Sequence, residues 1–207
     1  MNEAAVMDVD QVLLDYASGL REFVNRRDGK AIQGHSLTWD VTEWLQLASS
    51  EEAQATINEF ARTYEFNPLD AMPGADKVLH SLMREGYSLI ALTACGTDPV
   101  IQNLRVGNLI HRFGEIFSEI HFVEYTDSKA DKLLDIAERY DIVAFIDDKP
   151  ENLEDALQYT DIENCILMKA PHNRNWRNSS NNAKYVDFAF SWYDCQQLIR
   201  KYNYEQD

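Results

Sequence analysis

The chain has 207 residues, 45% of them hydrophobic and 26% charged, which allows a sizeable core and is ordinary for a soluble globular protein. Its formal net charge is −16, from 19 basic and 35 acidic residues, which argues against duplex DNA, RNA or an anionic membrane as a main partner, since each requires a basic footprint. The opening Met1-Asn2-Glu3 lacks the features of a signal peptide, no apolar run is long enough to span a bilayer, and Cys95, Cys165 and Cys195, three scattered residues without a Cys-x-x-Cys pair, read as reduced thiols of a cytoplasmic protein.

The first predicted element is a short buried strand, Ala4 to Met7, ending in Asp8-Val9-Asp10. Residues i and i+2 of an extended chain point the same way, so both carboxylates are expected on one small volume, where a cation or a shared proton must offset their repulsion. Leu13 to Asn25 has helical spacing and ends at Arg26-Arg27-Asp28-Gly29. A loop, Gly34 to Asp40, precedes a short helix around Val41 to Leu47. Ser49-Ser50-Glu51-Glu52 starts another, with Ala53, Ile57, Phe60, Ala61 and Tyr64 on one stripe. Residues 15–70 therefore read as all-helical.

The pattern then alternates. A helix over Asp76 to Glu85 leads to a strand, Tyr87 to Leu92, that runs into Thr93. Asp98-Pro99 starts a helix reaching about Ile110, and Ile116 to Val123 holds a strand. Ser128 caps a helix carrying Leu133 and Leu134. Ile142 to Ile146 is a strand ending in Asp147-Asp148. A helix at Asn152 to Tyr159, a strand at Cys165 to Met168, a polar loop at 178–182, a strand at Tyr185 to Phe190 and a helix at Cys195 to Tyr202 complete the chain. This alternation predicts an α/β fold, a doubly wound parallel sheet.

In such sheets ligands sit beyond the carboxyl ends of the strands. Three predicted strands end in Asp8 and Asp10, in Thr93, and in Asp147 and Asp148, and Lys129 begins a helix at the same rim. Taken singly, Thr93 is an ordinary strand-end hydroxyl, Lys129 or Lys132 a solvated helix face, and Asp147-Asp148 a turn. Their order along an alternating chain is what carries weight.

With those four motifs the sequence resembles the haloacid dehalogenase-like hydrolases, a superfamily dominated by phosphatases. Asp8-Val9-Asp10-Gln11-Val12 is similar to the first family motif, although Gln11 stands where the family usually has Gly. Thr93 after Leu89-Ile90-Ala91-Leu92 is similar to the second, Lys129 to the third with Lys132 as its fallback, and Phe145-Ile146-Asp147-Asp148 to the fourth. The resemblance implies that Asp8 attacks phosphorus and Asp10 serves as general acid and base. It further implies that Thr93 and Lys129 bind the phosphoryl oxygens. Mg²⁺ is then held by Asp8, the backbone carbonyl of Asp10, Asp147 and Asp148, an oxygen-only set suited to a hard cation. Asp15 and Cys95, close to these motifs, read as structural.

The resemblance also implies a catalytic core of residues 1–14 and 71–207 with a helical cap at 15–70. Within the superfamily, the segments 36–41 and 66–75 and the loop Lys169-Ala170-Pro171-His172-Asn173-Arg174 are most similar to 5′(3′)-deoxyribonucleotidases. That likeness makes Trp39, in a loop rather than on an apolar stripe, and Arg174, in a basic patch with His172 and Arg177, the expected substrate contacts. The function implied is a Mg²⁺-dependent phosphomonoesterase acting on a small phosphorylated substrate, plausibly a (deoxy)nucleoside monophosphate. The alternatives are a phosphosugar phosphatase and a non-catalytic protein that binds a phosphorylated ligand. The sequence names no oligomeric partner.

Overall fold

The computed structural model describes residues 1–63, 66, 68–178 and 185–204. Tyr64 of the expected stripe and residues 179–182 of the expected polar loop lie outside the described residues. The centre is β1 (Asn2–Met7), whose residues Ala4 to Met7 are wholly buried. A strand covered on both faces needs a continuous apolar run rather than an alternating one, and Ala4-Ala5-Val6-Met7 supplies it. The other strands are β2 (Ser88–Thr93), β3 (Phe117–Phe122), β4 (Tyr140–Asp147), β5 (Cys165–Met168) and β6 (Val186–Ala189). They form a parallel sheet in the order β3-β2-β1-β4-β5-β6. The chain builds outward from β1 to β3, then returns to lay β4 against the other side of β1. That reversal opens a crevice at the carboxyl ends of β1 and β4.

Alternate strand residues feed two cores. Met7, Ala91 and Ile146 pack with α3 (Ala75–Arg84), α4 (Pro99–Phe113) and α7 (Trp192–Tyr204). Val6, Ile90 and Phe145 pack with α5 (Ala130–Ala137) and α6 (Pro150–Tyr159). Among the described residues, no helix is long and apolar enough to cross a membrane.

The chain leaves the sheet after Leu14 and rejoins it at Ala71, where the two passing strands pair antiparallel. Asp15 N donates to Asp70 O and Met72 N to Leu13 O, each at 2.8 Å. Between these points lie α1 (Tyr16–Asp28) and α2 (Ser50–Phe60), and no β-strand among the described residues. Two expectations change here. The first helix begins at Tyr16 rather than Leu13, because Val9 O accepts both Leu13 N and Leu14 N in a turn, and Asp15 then caps the helix through Ser18 N. Residues 41–47 form hydrogen-bonded turns instead of a helix. Gln46 adopts φ 53°, and Lys30 Nζ takes the Leu45 and Gln46 carbonyls at 3.0 and 2.9 Å, so the ladder cannot continue.

Candidate active site

The sheet register sets the site. Met7 is level with Ala91 of β2 and Ile146 of β4, and Asp8 N donates to Ile146 O at 2.9 Å. Asp8, Thr93, Asp147 and Asp148 therefore emerge along one rim, all buried. Lys129 caps the start of α5 and turns inward, 1% exposed. Its Nζ donates to Asp8 Oδ1 at 2.5 Å and to Asp147 Oδ2 at 2.7 Å. Asp147 is held further by Asn152 Nδ2 at 2.9 Å and Lys149 N at 2.8 Å. Lys132 points to the outer face of α5 and pairs with Asp135 at 2.8 Å, away from this rim.

Asp8, Asp147 and Asp148 each offer one oxygen within 4.8 Å of the others. A single ammonium does not neutralise three buried carboxylates. Burial, with Asp147 and Asp10 adding and Lys129 opposing, pushes the Asp8 carboxyl up to about 7. Burial followed by Asp8 and Asp147 drives Asp148 well above the carboxylate range. Lys129 itself is pulled down by burial, but Asp147 and Asp8 outweigh that and hold its ammonium above its usual range. Asp148 Oδ2 stands 2.9 Å from His172 Nε2 without hydrogen-bonding geometry, so both buried atoms lack a partner. Excess negative charge, oxygen-only donors and an orphaned carboxylate oxygen together fit a hard divalent cation.

The expectation for Asp10 as a metal ligand concerned its backbone carbonyl. Its carboxylate turns to Arg105 on α4, whose Nη2 lies 2.6 Å from Oδ1 and donates to Oδ2 at 2.8 Å. Burial pushes this carboxyl above its ordinary range and Arg105 opposes that shift. A protonatable carboxyl at this position suits proton transfer. Gln11 adopts φ 61°, the left-handed turn that Gly normally serves, and its Oε1 accepts Ala17 N at 2.8 Å in the first turn of α1. The backbone strain is thus compensated by an added cap. Burial pushes the Cys95 thiol up to about 11, which leaves it protonated and unreactive at neutral pH.

These groups line one end of a cavity of about 280 Å³. The opposite wall comes from the helical insertion: Tyr16, Leu20, Trp39, Trp44, Ile57 and Phe66. The volume sits near the lower bound of ligand pockets and admits only a small molecule. Trp39 is half-exposed and its ring lies 4.0 Å from that of His172, across the mouth. The loop bearing His172 is tied to the acidic rim because Asn173 Nδ2 donates to Asp148 O at 2.7 Å and to Met168 O at 2.9 Å. Arg174, the other expected substrate contact, is exposed and does not line the cavity; His172, two residues earlier in the same turn, does.

The motif reading missed Arg105, and it named His172 only as a member of the basic patch around Arg174. Arg105 carried a signal, because Ile101, Arg105, Leu109 and Phe113 are one buried stripe at i, i+4 spacing, with a cation where an apolar residue belongs.

A parallel α/β sheet with these acids and this lysine at the β1–β4 crevice defines a haloacid dehalogenase-like hydrolase of the phosphatase type. The fold recurs in a predicted phosphatase from Clostridium acetobutylicum, at 17% identity and TM-score 0.65, covering 97% of this chain and 99% of that one. It recurs in an L-2-haloacid dehalogenase, at 14% identity and TM-score 0.62, covering 97% and 100%. CbbY from Rhodobacter sphaeroides in complex with phosphate is a third, at 15% identity and TM-score 0.56, covering 93% and 95%. Identities this low establish the fold alone, and no curated protein matched the chain. The family is set by residues 2–203, which match the model of the cytosolic type C 5′-nucleotidase, deoxy (pyrimidine) proteins; the chain belongs to that family.

Proposed function

We propose that the protein is a Mg²⁺-dependent phosphomonoesterase that forms an aspartyl phosphate on Asp8 and acts in the cytoplasm on a (deoxy)nucleoside monophosphate. The observation that carries this reading is the buried Asp8–Lys129–Asp147 arrangement with Asp148 in the same cluster. Asp8, Asp147 and Asp148, with the Asp10 carbonyl, would hold the Mg²⁺. When bound, the ion screens the anionic phosphate from the attacking carboxylate.

An Asp8 oxygen forms a bond to phosphorus as the bond to the leaving oxygen breaks, and Asp10 gives that oxygen its proton. Water then adds to phosphorus and loses a proton to Asp10. The bond to Asp8 breaks, releasing inorganic phosphate and restoring both carboxyl groups. Lys129 and Thr93 bind the phosphoryl oxygens through both steps.

The helical insertion, residues 15–70, serves as a cap that excludes water and selects the substrate. The family supports a nucleotide, and the cavity supports it too. Aromatic side chains opposite the acids suit a flat base better than a polyhydroxylated sugar. Trp39 would touch it together with His172, whose ring meets that of Trp39, and Arg174 would stand at the edge of the mouth. The cytoplasmic assignment rests on Cys95, Cys165 and Cys195, three scattered and buried cysteines with no Cys-x-x-Cys pair.

The test is phosphate release from a panel of deoxynucleotides and sugar phosphates with Mg²⁺, with Asp8→Asn as control. Mg²⁺-dependent release that favours nucleotides and vanishes in the variant is expected. Release confined to sugar phosphates would discard the substrate, and no release from any ester would discard the enzyme.

A further inference from the structure

We infer that Arg105 is a positioning residue for the leaving-group side of the reaction: it holds the Asp10 carboxyl in the orientation that delivers a proton to the departing oxygen. The inference rests on the phosphomonoesterase reading above. Three observations carry it. Arg105 is fully buried in the cavity wall, whereas Asp10 is part-exposed, so the guanidinium holds one side of the carboxyl from the wall and leaves its other side to the substrate. The contact uses one nitrogen, Nη2, which donates to Oδ2 at 2.8 Å and lies 2.6 Å from Oδ1, so the cation stands against the carboxyl head itself. Arg105 Nε and Nη1 and Asp10 Oδ1 are buried without hydrogen-bond partners. A fold seeking only stability would not bury two unsatisfied N–H groups when a long apolar side chain completes the Ile101–Leu109 stripe.

The guanidinium is itself held in place. The Arg105 Cζ lies 4.3 Å from the centroid of Phe66, in the segment that returns from the helical insertion. The same face of α4 grips that segment further along. Asn108 Nδ2 donates to Leu69 O at 3.4 Å, and Arg112 Nη2 donates to Pro68 O at 2.9 Å and to Asp70 Oδ1 at 2.5 Å. The orientation of Asp10 is therefore set jointly by α4 and by the insertion's return strand.

Proton delivery matters in proportion to how poor the leaving group is, and this gives a readout that a structural role does not share. In the first half-reaction Asp8 attacks phosphorus and the phosphorus–oxygen bond breaks. An alkoxide leaves only with the proton of Asp10, while a nitrophenolate leaves without one.

The experiment is rapid mixing of the full chain and Arg105→Met, with Mg²⁺, against a deoxynucleoside 5′-monophosphate and p-nitrophenyl phosphate. First-turnover release of the leaving group is followed. The expected result is a loss of about 100-fold on the nucleotide, within the usual worth of a general acid, and less than about 3-fold on the nitrophenyl ester. Equal losses on both esters, or no loss on either, would overturn the inference. Arg105→Lys, which keeps the charge but loses the planar group seated on Phe66, should give a ratio between those of the wild type and the methionine variant, and it carries the test if the methionine variant fails to fold. A wild-type protein that releases nothing from either ester sinks the phosphatase reading and this inference with it. An active wild type with an unchanged ratio sinks this inference alone.

Discussion

Two buried cations flank the cavity, and they are held in different ways. Lys129 stands between two carboxylates, at 2.5 Å from Asp8 and 2.7 Å from Asp147, both buried. Arg105 has one carboxylate, Asp10, and an aromatic ring, and two of its nitrogens lack partners. The lysine is the keystone of a closed charge cluster on the phosphoryl side. The arginine is a brace behind a single carboxyl that still faces the cavity. Removing the first should strip the cluster of its counter-charge; removing the second should chiefly misdirect one group.

The largest effect on stability is expected from Lys129→Met. It leaves Asp8, Asp147 and Asp148 buried together without a cation, so the metal-free protein should lose about 3–5 kcal/mol in urea unfolding. A loss below about 1 kcal/mol would mean that bound protons, not the lysine, neutralise the cluster.

Next in size is the response to Mg²⁺ and pH. In the metal-free protein the Asp8 carboxyl is raised from 3.8 to about 7, so the stability this group contributes is complete below about pH 4 and is lost as pH rises through about 7. Mg²⁺ needs the Asp8 carboxylate, which forms over that range. Its stabilisation, about 2.7 kcal/mol at a hundredfold excess over Kd, should be nearly absent at about pH 5 and full at about pH 8, read as a shift in Tm. An equal shift at both pH values would contradict the assignment of the cluster as the metal site.

Arg105→Met should cost less, about 1 kcal/mol, because Asp10 keeps access to solvent and the apolar side chain removes two buried nitrogens that lack partners. A cost equal to that of Lys129→Met would erase the distinction between the two cations. The smallest change is expected at Gln11. Gln11→Gly relieves a left-handed residue worth about 1–2 kcal/mol but loses the cap on Ala17, worth about 1 kcal/mol, so chemical denaturation should place it within about 1 kcal/mol of wild type.

The same contrast explains what could be read from the sequence. Lys129 sits at a helix start in a motif with fixed order relative to Asp8, Thr93 and Asp147, so pattern alone brought it to the rim. Arg105 belongs to no motif and acts from the middle of a helix. Only its misfit on the Ile101–Leu109 stripe betrayed it. Strands were legible because a sheet covered on both faces demands continuous apolar runs, and Cys165 to Met168 was placed to the residue. The start of α1 was not, because Val9 to Leu14 has helix-like apolar spacing but spends its N–H groups on a turn. Residues 41–47 make one helical turn, Leu45 N to Val41 O, and stop because Gln46 enters the left-handed region and the distant Lys30 holds the Leu45 and Gln46 carbonyls that a longer helix would use. His172 and Arg174 share one short turn, and which of them faces the cavity is decided by Asn173 tying the loop to Asp148, a contact between distant parts of the chain.

The most direct test of the account is a rapid chemical quench with p-nitrophenyl phosphate labelled at phosphorus, whose leaving group departs without a proton, in an Asp10→Asn background that slows breakdown of the intermediate. The account predicts a Mg²⁺-dependent, hydroxylamine-sensitive label on the peptide that contains Asp8, absent from Asp8→Asn. Turnover of the same substrate with no label on that peptide would contradict it.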